Sequence, residues 1–229
     1  MDDPLLRGDA LKQNLDELER INTWLGGYAI VLDTLEHLRY AGFFNTEKPV
    51  RIVDLGSGGG DTLRAVASWA RKKKVRLELV GVDFNDFMLD YAQQKCHQYP
   101  EITFLKLDIF DPEFANMNFD LALCSLFCHH FSNAELVQIF STLRKNCAIG
   151  FVINDLHRHP LAFYGIKFLT WLFRGSFLVR HDAPLSVLRA FHYGELKALM
   201  QQTGIERYYL AWRWAFRFRL IAFTNNGHS

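Results

Sequence analysis

The sequence predicts a doubly wound α/β fold, a mostly parallel sheet with helices on both faces and an antiparallel hairpin at its end. Three observations carry this. An apolar run, Val50-Arg51-Ile52-Val53-Asp54-Leu55, stops at Gly56-Ser57-Gly58-Gly59-Gly60-Asp61 and feeds a helical pattern. Four more strand-like runs then alternate with helix-like ones up to residue 153, which implies right-handed crossovers and a parallel sheet. Near the C-terminus the pattern turns to period two: Trp212, Trp214, Phe216 and Phe218 alternate with Arg213, Ala215, Arg217 and Arg219.

The elements follow in order. Leu11, Leu15, Leu18, Ile21 and Leu25 recur at helical steps; Gly26-Gly27 interrupts them, and Ile30, Val31, Leu35 and Leu38 resume. This predicts two helices, or one kinked at the glycines. Strands are expected over 50–55, 77–83, 102–107, 119–124 and 147–153, and helices over 86–97 and 133–145. The apolar stretch 161–179 contains Lys167 and Arg174, so a spanning helix is disfavoured. It reads as a buried helix, an apolar lid over a greasy substrate, or a surface touching a membrane. A helix over 193–203, ended by Gly204, precedes a strand over 205–210 and the alternating strand 212–219.

The chain has 229 residues, 49% of them hydrophobic, enough for one substantial core. A single domain spanning 1–229 is expected, with an N-terminal helical cap (1–48) and a helical lid insert (160–190). A net charge of +1 argues against a general nucleic-acid binder. Cys96, Cys124, Cys128 and Cys147 form no Cys-x-x-Cys pair and read as reduced thiols. Met1-Asp2-Asp3-Pro4 lacks the apolar segment of a secretory signal, so a cytoplasmic location is expected. The arginines of the terminal strand read as a solvated face.

The chemistry starts at the glycine turn. Glycine allows backbone angles closed to other residues, and the helix behind it offers free N–H groups. Asp83 ends the second strand, where an acid can accept from both hydroxyls of a ribose. The dinucleotide fingerprint wants a small residue where Asp61 stands, and a carboxylate there would oppose a pyrophosphate. Asp54, Asp61 and Asp83 instead suit a ligand with a ribose and a cationic amino-acid end.

Taken together, these pieces resemble class I S-adenosylmethionine-dependent methyltransferases. The matching segments are Val53–Gly60, Gly81-Val82-Asp83-Phe84-Asn85, Leu105-Lys106-Leu107-Asp108, Phe119–Ser125 and the closing hairpin. Arg20–Gly27 and Asn154–Pro160 are similar to bacterial small-molecule methyltransferases of polyketide or quinone type. The resemblance implies a Rossmann-like seven-stranded sheet and S-adenosyl-L-methionine as cofactor. It implies that Asp54, Gly56, Ser57, Gly58 and Gly60 line the methionine and sugar side. Asp83 would hold the ribose hydroxyls, Phe84 would flank the adenine, and Asp108 and the Ile109 N–H would meet the adenine edge. Ser125 and Leu126 would border the cofactor.

The expected reaction is O-methylation of a small apolar aromatic or polyketide-like metabolite. Alternatives are C-methylation of a quinone or phenol ring, an NAD(P)-linked reductase, and a non-catalytic cofactor-binding subunit. Removing a hydroxyl proton favours a base with a pKa near neutral. His129 and His130, after strand four, are candidates, as is His157 after strand five, with Asp155 orienting its ring. His157-x-His159 matches no standard zinc spacing, so no metal is expected. Trp24, Tyr28, Phe163, Tyr164, Phe168, Trp171 and Phe177 are expected to wall the acceptor, or only to seal the core. The protein is expected to be a monomer or homodimer.

Overall fold

The computed structural model describes residues 9–44, 47–172 and 177–224. The opening Met1-Asp2-Asp3-Pro4 and the side chain of Phe177 lie outside the described residues.

Two helices, α1 (Asp9–Trp24) and α2 (Gly27–Tyr40), precede the sheet; the left-handed Gly26 ends one and caps the next. The winding then runs β1 (Val50–Leu55), α3 (Asp61–Lys73), β2 (Leu77–Asp83), α4 (Asp86–Cys96) and β3 (Ile102–Lys106). It continues with α5 (Pro112–Ala115), β4 (Phe119–Ser125), a 3₁₀ turn (Cys128–His130), α6 (Asn133–Asn146) and β5 (Cys147–Leu156). Then come α7 (Pro160–Leu172), α8 (Phe177–Arg189), α9 (Tyr193–Gln202), β6 (Tyr208–Arg213) and β7 (Arg217–Phe223). Local signals set the starts: the Asn85 side chain accepts from the N–H groups of Phe87 and Met88, and Ser132 with Glu135 forms a capping box on α6.

The sheet order is β3-β2-β1-β4-β5-β7-β6, with β7 alone antiparallel to the rest. The chain reverses direction across the sheet between β1 and β4, which opens a crevice at their carboxyl ends. Val31, Leu35 and Leu38 of α2 pack with Leu63 and Val66 of α3 on one face, against Ile52 and Leu79. Leu136, Phe140 and Leu143 of α6 join Leu196 and Leu199 of α9 on the other, against Val53, Ala122 and Phe151. All four cysteines are buried and unpaired.

Three expectations change. The insert is two helices, α7 and α8, rather than one. The strand expected over 205–210 is shifted to β6, Tyr208–Arg213. The single strand expected over 212–219 is broken by a turn at residues 214–216, where Ala215 (φ 59°) and Phe216 (φ 52°) are both left-handed. After that turn β7 is buried on both faces, with Phe218 in the core. Arg217 and Arg219 are buried, not a solvated face. Among the described residues no helix is long and apolar enough to cross a membrane.

Candidate active site

The glycine turn is pinned to β2: the N–H groups of Gly56 and Ser57 donate to the Val82 carbonyl at 2.9 and 3.1 Å. Gly56 is left-handed (φ 64°), and a Cβ there would stand 2.2 Å from the Phe127 ring. Only glycine meets both demands. The Asp83 carboxylate is fixed at the tip of β2 by the N–H of Gly58 on Oδ2 (3.1 Å) and of Asn85 on Oδ1 (3.0 Å). Burial raises its pKa against those bonds. Ser57 Oγ is buried without a hydrogen-bond partner among the described residues.

Asp54 is fully buried on β1, and its carboxyl is held well above the usual range by burial first, then by the charges of Asp61 and Asp83. The Tyr28 hydroxyl donates to Asp61 Oδ2 at 2.7 Å. Three carboxylates thus converge on one turn. The arrangement favours a cation and opposes a diphosphate.

A second constellation lies one strand further along. Leu126, just past β4, is left-handed (φ 53°), an uncommon state for a branched residue, and its N–H donates to Asn154 O at 2.9 Å. This bend turns the chain into the 3₁₀ segment carrying His129. There His129 Nδ1 lies 2.7 Å from Asp155 Oδ1, and the His129 backbone N–H donates to Oδ2 at 3.2 Å. Asp155 is completely buried; burial pushes it up, but the His129 ring and the N–H groups of Leu156 and His129 outweigh that and hold it below its ordinary value. An ionised Asp155 only accepts, so it fixes the proton on Nδ1. Nε2 keeps its lone pair, buried and without a partner among the described residues.

The glycine turn with Asp54 and Asp61, and His129 from the second constellation, line one cavity of about 800 Å³. Its walls include Asp54, Gly56–Gly58, Asp61, Ser125, Leu126, His129 and His130 from the sheet edge. Helix α1 contributes Leu18, Ile21, Asn22 and Trp24; α7 contributes Leu161, Gly165, Ile166 and Leu169; α8 and the β6–β7 turn complete the roof. Arg217 also lines it, donating to Asn22 Oδ1 at 2.9 Å.

Several expected site residues stand elsewhere. His157 does not line the cavity: its ring packs on Phe218 (4.9 Å between centroids), His159 and His192, where burial and the two histidines lower its pKa. Asp155 is bonded to His129, so it does not orient His157. Phe163, Tyr164, Phe168 and Trp171 are not among the lining residues; Trp171 is 64% exposed, and the small and aliphatic face of α7 turns inward instead. Tyr28 acts on Asp61 from behind the wall. Asp83, Phe84, Asp108 and Ile109 sit outside the main cavity along the carboxyl edge of β2 and β3, with Phe84 57% exposed and Asp108 Oδ1 taken by the Phe110 N–H at 2.9 Å. Gly60 is left-handed, with Cys96 and Phe104 filling the place of a Cβ, so it shapes the turn from beneath. Sequence reasoning missed Asn22 and Arg217. The signal for Arg217, a basic residue in an aromatic strand, was present but read as solvated, whereas the residue is buried.

Residues 52–150 match the methyltransferase-domain family. The non-reducing polyketide synthase Preu3 of Preussia isomera is 24% identical over 199 residues, 82% of this chain and 8% of the synthase, so the chain spans a small fraction of that curated relative's length. Among solved structures, the DszA carbon methyltransferase is similar at TM-score 0.64 and 19% identity, over 99% of this chain and 57% of that one. The plantazolicin methyltransferase BpumL, in complex with SAH (S-adenosylhomocysteine), gives 0.65 and 14% over 89% and 87%. Magnesium protoporphyrin IX methyltransferase (ChlM) from Synechocystis PCC 6803, with bound SAH, gives 0.55 and 19% over 87% and 84%. The family match thus falls on the sheet core from β1 to β5, and the chain shares its overall fold with these methyltransferases.

Proposed function

We propose that the protein transfers a methyl group from S-adenosylmethionine to a hydroxyl of a small, largely apolar aromatic or polyketide-like acceptor. The observation that carries this is the His129–Asp155 pair: a buried imidazole with a fixed tautomer and a free Nε2, opening on the same cavity as the glycine turn.

The residues present fit the cofactor. The Gly58 main chain leaves room for close approach, Ser57 Oγ lacks a partner among the described residues, and Asp54 with Asp61 would face a positive end. Asp83 keeps lone pairs for ribose hydroxyls beyond its two backbone bonds. Bound there, S-adenosylmethionine supplies an electrophilic methyl group on a sulfonium. His129 Nε2 takes the acceptor proton as the hydroxyl oxygen becomes the nucleophile. Asp155 stabilises the imidazolium that results. Ile166 and Leu169 of the apolar wall would hold an apolar ring, so that alignment adds to base catalysis. His130, its ring tilted against that of His129 at 4.2 Å and also on the wall, positions that ring.

Carbon methylation is the second reading. The same base would remove an acidic C–H between two carbonyls, and DszA, similar over nearly the whole chain, is a carbon methyltransferase. One experiment tests both: incubation with methyl-labelled cofactor and a panel of phenols, pyrones, quinols and β-diketones, with the label located by tandem mass spectrometry. Label on oxygen supports the first reading, and label on carbon the second. Calorimetric binding of SAH with no methylated product from any acceptor would defeat both and leave a cofactor-binding subunit.

A further inference from the structure

Arg217 is 3% exposed and lines the cavity, yet it has no counter-charge in contact. Its Nη2 donates to Asn22 Oδ1 at 2.9 Å and its Nη1 to Asn154 Oδ1 at 3.5 Å, both neutral amides. Among the described residues no carboxylate comes within the 4.0 Å of an ion pair, and Nε is buried without a partner. The two amides are themselves held: Asn154 Nδ2 donates to Gly27 O at 2.9 Å, and Asn22 lies against Gly27, where a Cβ would strike its Oδ1. The clamp fixes the guanidinium while using only part of its five-donor fork.

An unpaired buried cation is expensive, and proteins meet that cost with a partner or lose the charge. Burial does pull Arg217 down, to about 10, but this leaves it charged at neutral pH. Asp155, on the neighbouring strand, is the acid whose charge supports Arg217, and its oxygens already serve His129 and Leu156. The missing partner therefore enters with a ligand. Its place indicates which ligand. In the order β1-β4-β5-β7, the glycine turn follows β1, and three strand spacings, about 14 Å, separate that turn from β7. Arg217 begins β7 beside Leu156, one residue from the Asp155 that serves the base.

We propose that Arg217 is an anion-binding residue on the acceptor side of the cavity, and that the acceptor is an acid: a hydroxylated aromatic or polyketide-like molecule carrying a carboxylate. A carboxylate would take two N–H donors from the fork, and one end of the acceptor would be anchored while the apolar wall holds its body. Arg217 is a specificity-determining residue. It acts on which acceptors bind, not on the methyl group. The inference rests on the methyl-transfer reading above.

The test measures binding, so that it stands apart from turnover. Hydroxybenzoic acids, each paired with its methyl ester, are titrated into the SAH-loaded protein by calorimetry. In the wild type at least one acid should bind tenfold or more tighter than its ester. Arg217→Met should abolish that preference and leave ester and SAH affinities within about twofold. Arg217→Lys keeps the charge without the fork and should lose part of the preference, again with ester and SAH affinities unmoved; it carries the test if the methionine variant does not fold. The proposal is overturned if no acid outbinds its ester, if acid and ester fall together, or if SAH affinity falls in the folded lysine variant. Failure of SAH to bind the wild type would instead count against the methyl-transfer reading.

Discussion

Asp155 accepts from both the ring and the backbone of a single histidine, and this fixes what that histidine can do. Asp155→Asn keeps the shape but can present an N–H to Nδ1, favouring the wrong tautomer. Turnover should fall about a hundredfold or more with SAH affinity unchanged. His129→Gln should cost a similar factor, and the double variant no more than either alone, because the two act as a unit. Steady-state rates with calorimetry check both. The pH dependence follows from the lowered Asp155 carboxyl. The unfolded chain holds that proton more tightly than the folded one, so the Asp155 contribution to stability is complete above the ordinary carboxylate range and lost as pH falls through the folded value. The stability gap between wild type and Asp155→Asn should therefore narrow below about pH 4, by chemical unfolding. At the other constellation, Asp83→Ala should weaken SAH binding more than tenfold, since it removes the proposed ribose acceptor together with the anchor of the Gly58 N–H. Unchanged affinity would remove Asp83 from the site.

Helix α7 shows how an element divides its labour. Tyr164, Phe168 and Trp171 face outward, and its cavity face is Leu161, Ala162, Gly165, Ile166 and Leu169. Trp171→Ala should therefore leave the selection among acceptors unchanged. Gly165→Leu should alter it. A Cβ at Gly165 meets nothing within 4 Å, so a side chain can grow into the chamber, and the helix gains about 1 kcal/mol by losing a glycine. Stability should hold or rise while KM for bulky acceptors increases, read from thermal unfolding and kinetics on acceptors of graded size. The β6–β7 turn is the counterpart on the other wall. Ala215 and Phe216, left-handed without glycine, store strain at the rim, and the turn they make carries Arg217 inward.

The whole molecule holds the site at the carboxyl ends of β1, β4 and β5, roofed by α1 and the insert helices α7 and α8. The reversed strand β7 closes this arrangement, and it packs so tightly on β5 that a Cβ on Gly150 would stand 1.9 Å from Ala222 O. Gly150→Ala should cost about 3 kcal/mol or more and lower the melting temperature without touching a lining residue. Conversely, SAH at a hundred times its Kd should stabilise the wild type by about 2.7 kcal/mol. Much of this architecture is legible in the chain. Apolar runs, glycines and caps are local, so β1 to β5, the turn at Gly56 and the carboxylates at strand ends follow from residues within a few positions of one another. The pairings that make the site are not local. Asp155 is drawn to His129 rather than His157 by the register of β4 on β5 and the bend at Leu126. Which side of α7 meets the cavity depends on how the helix is rolled against α8 and the sheet. Arg217 was misplaced because its turn lacks the glycine, asparagine or proline that announces one, so a period-two pattern runs through it unbroken. Local chemistry determined the strands and the glycine turn; only the tertiary structure decided which distant side chains share a cavity, because register and helix roll are set by packing across the whole core.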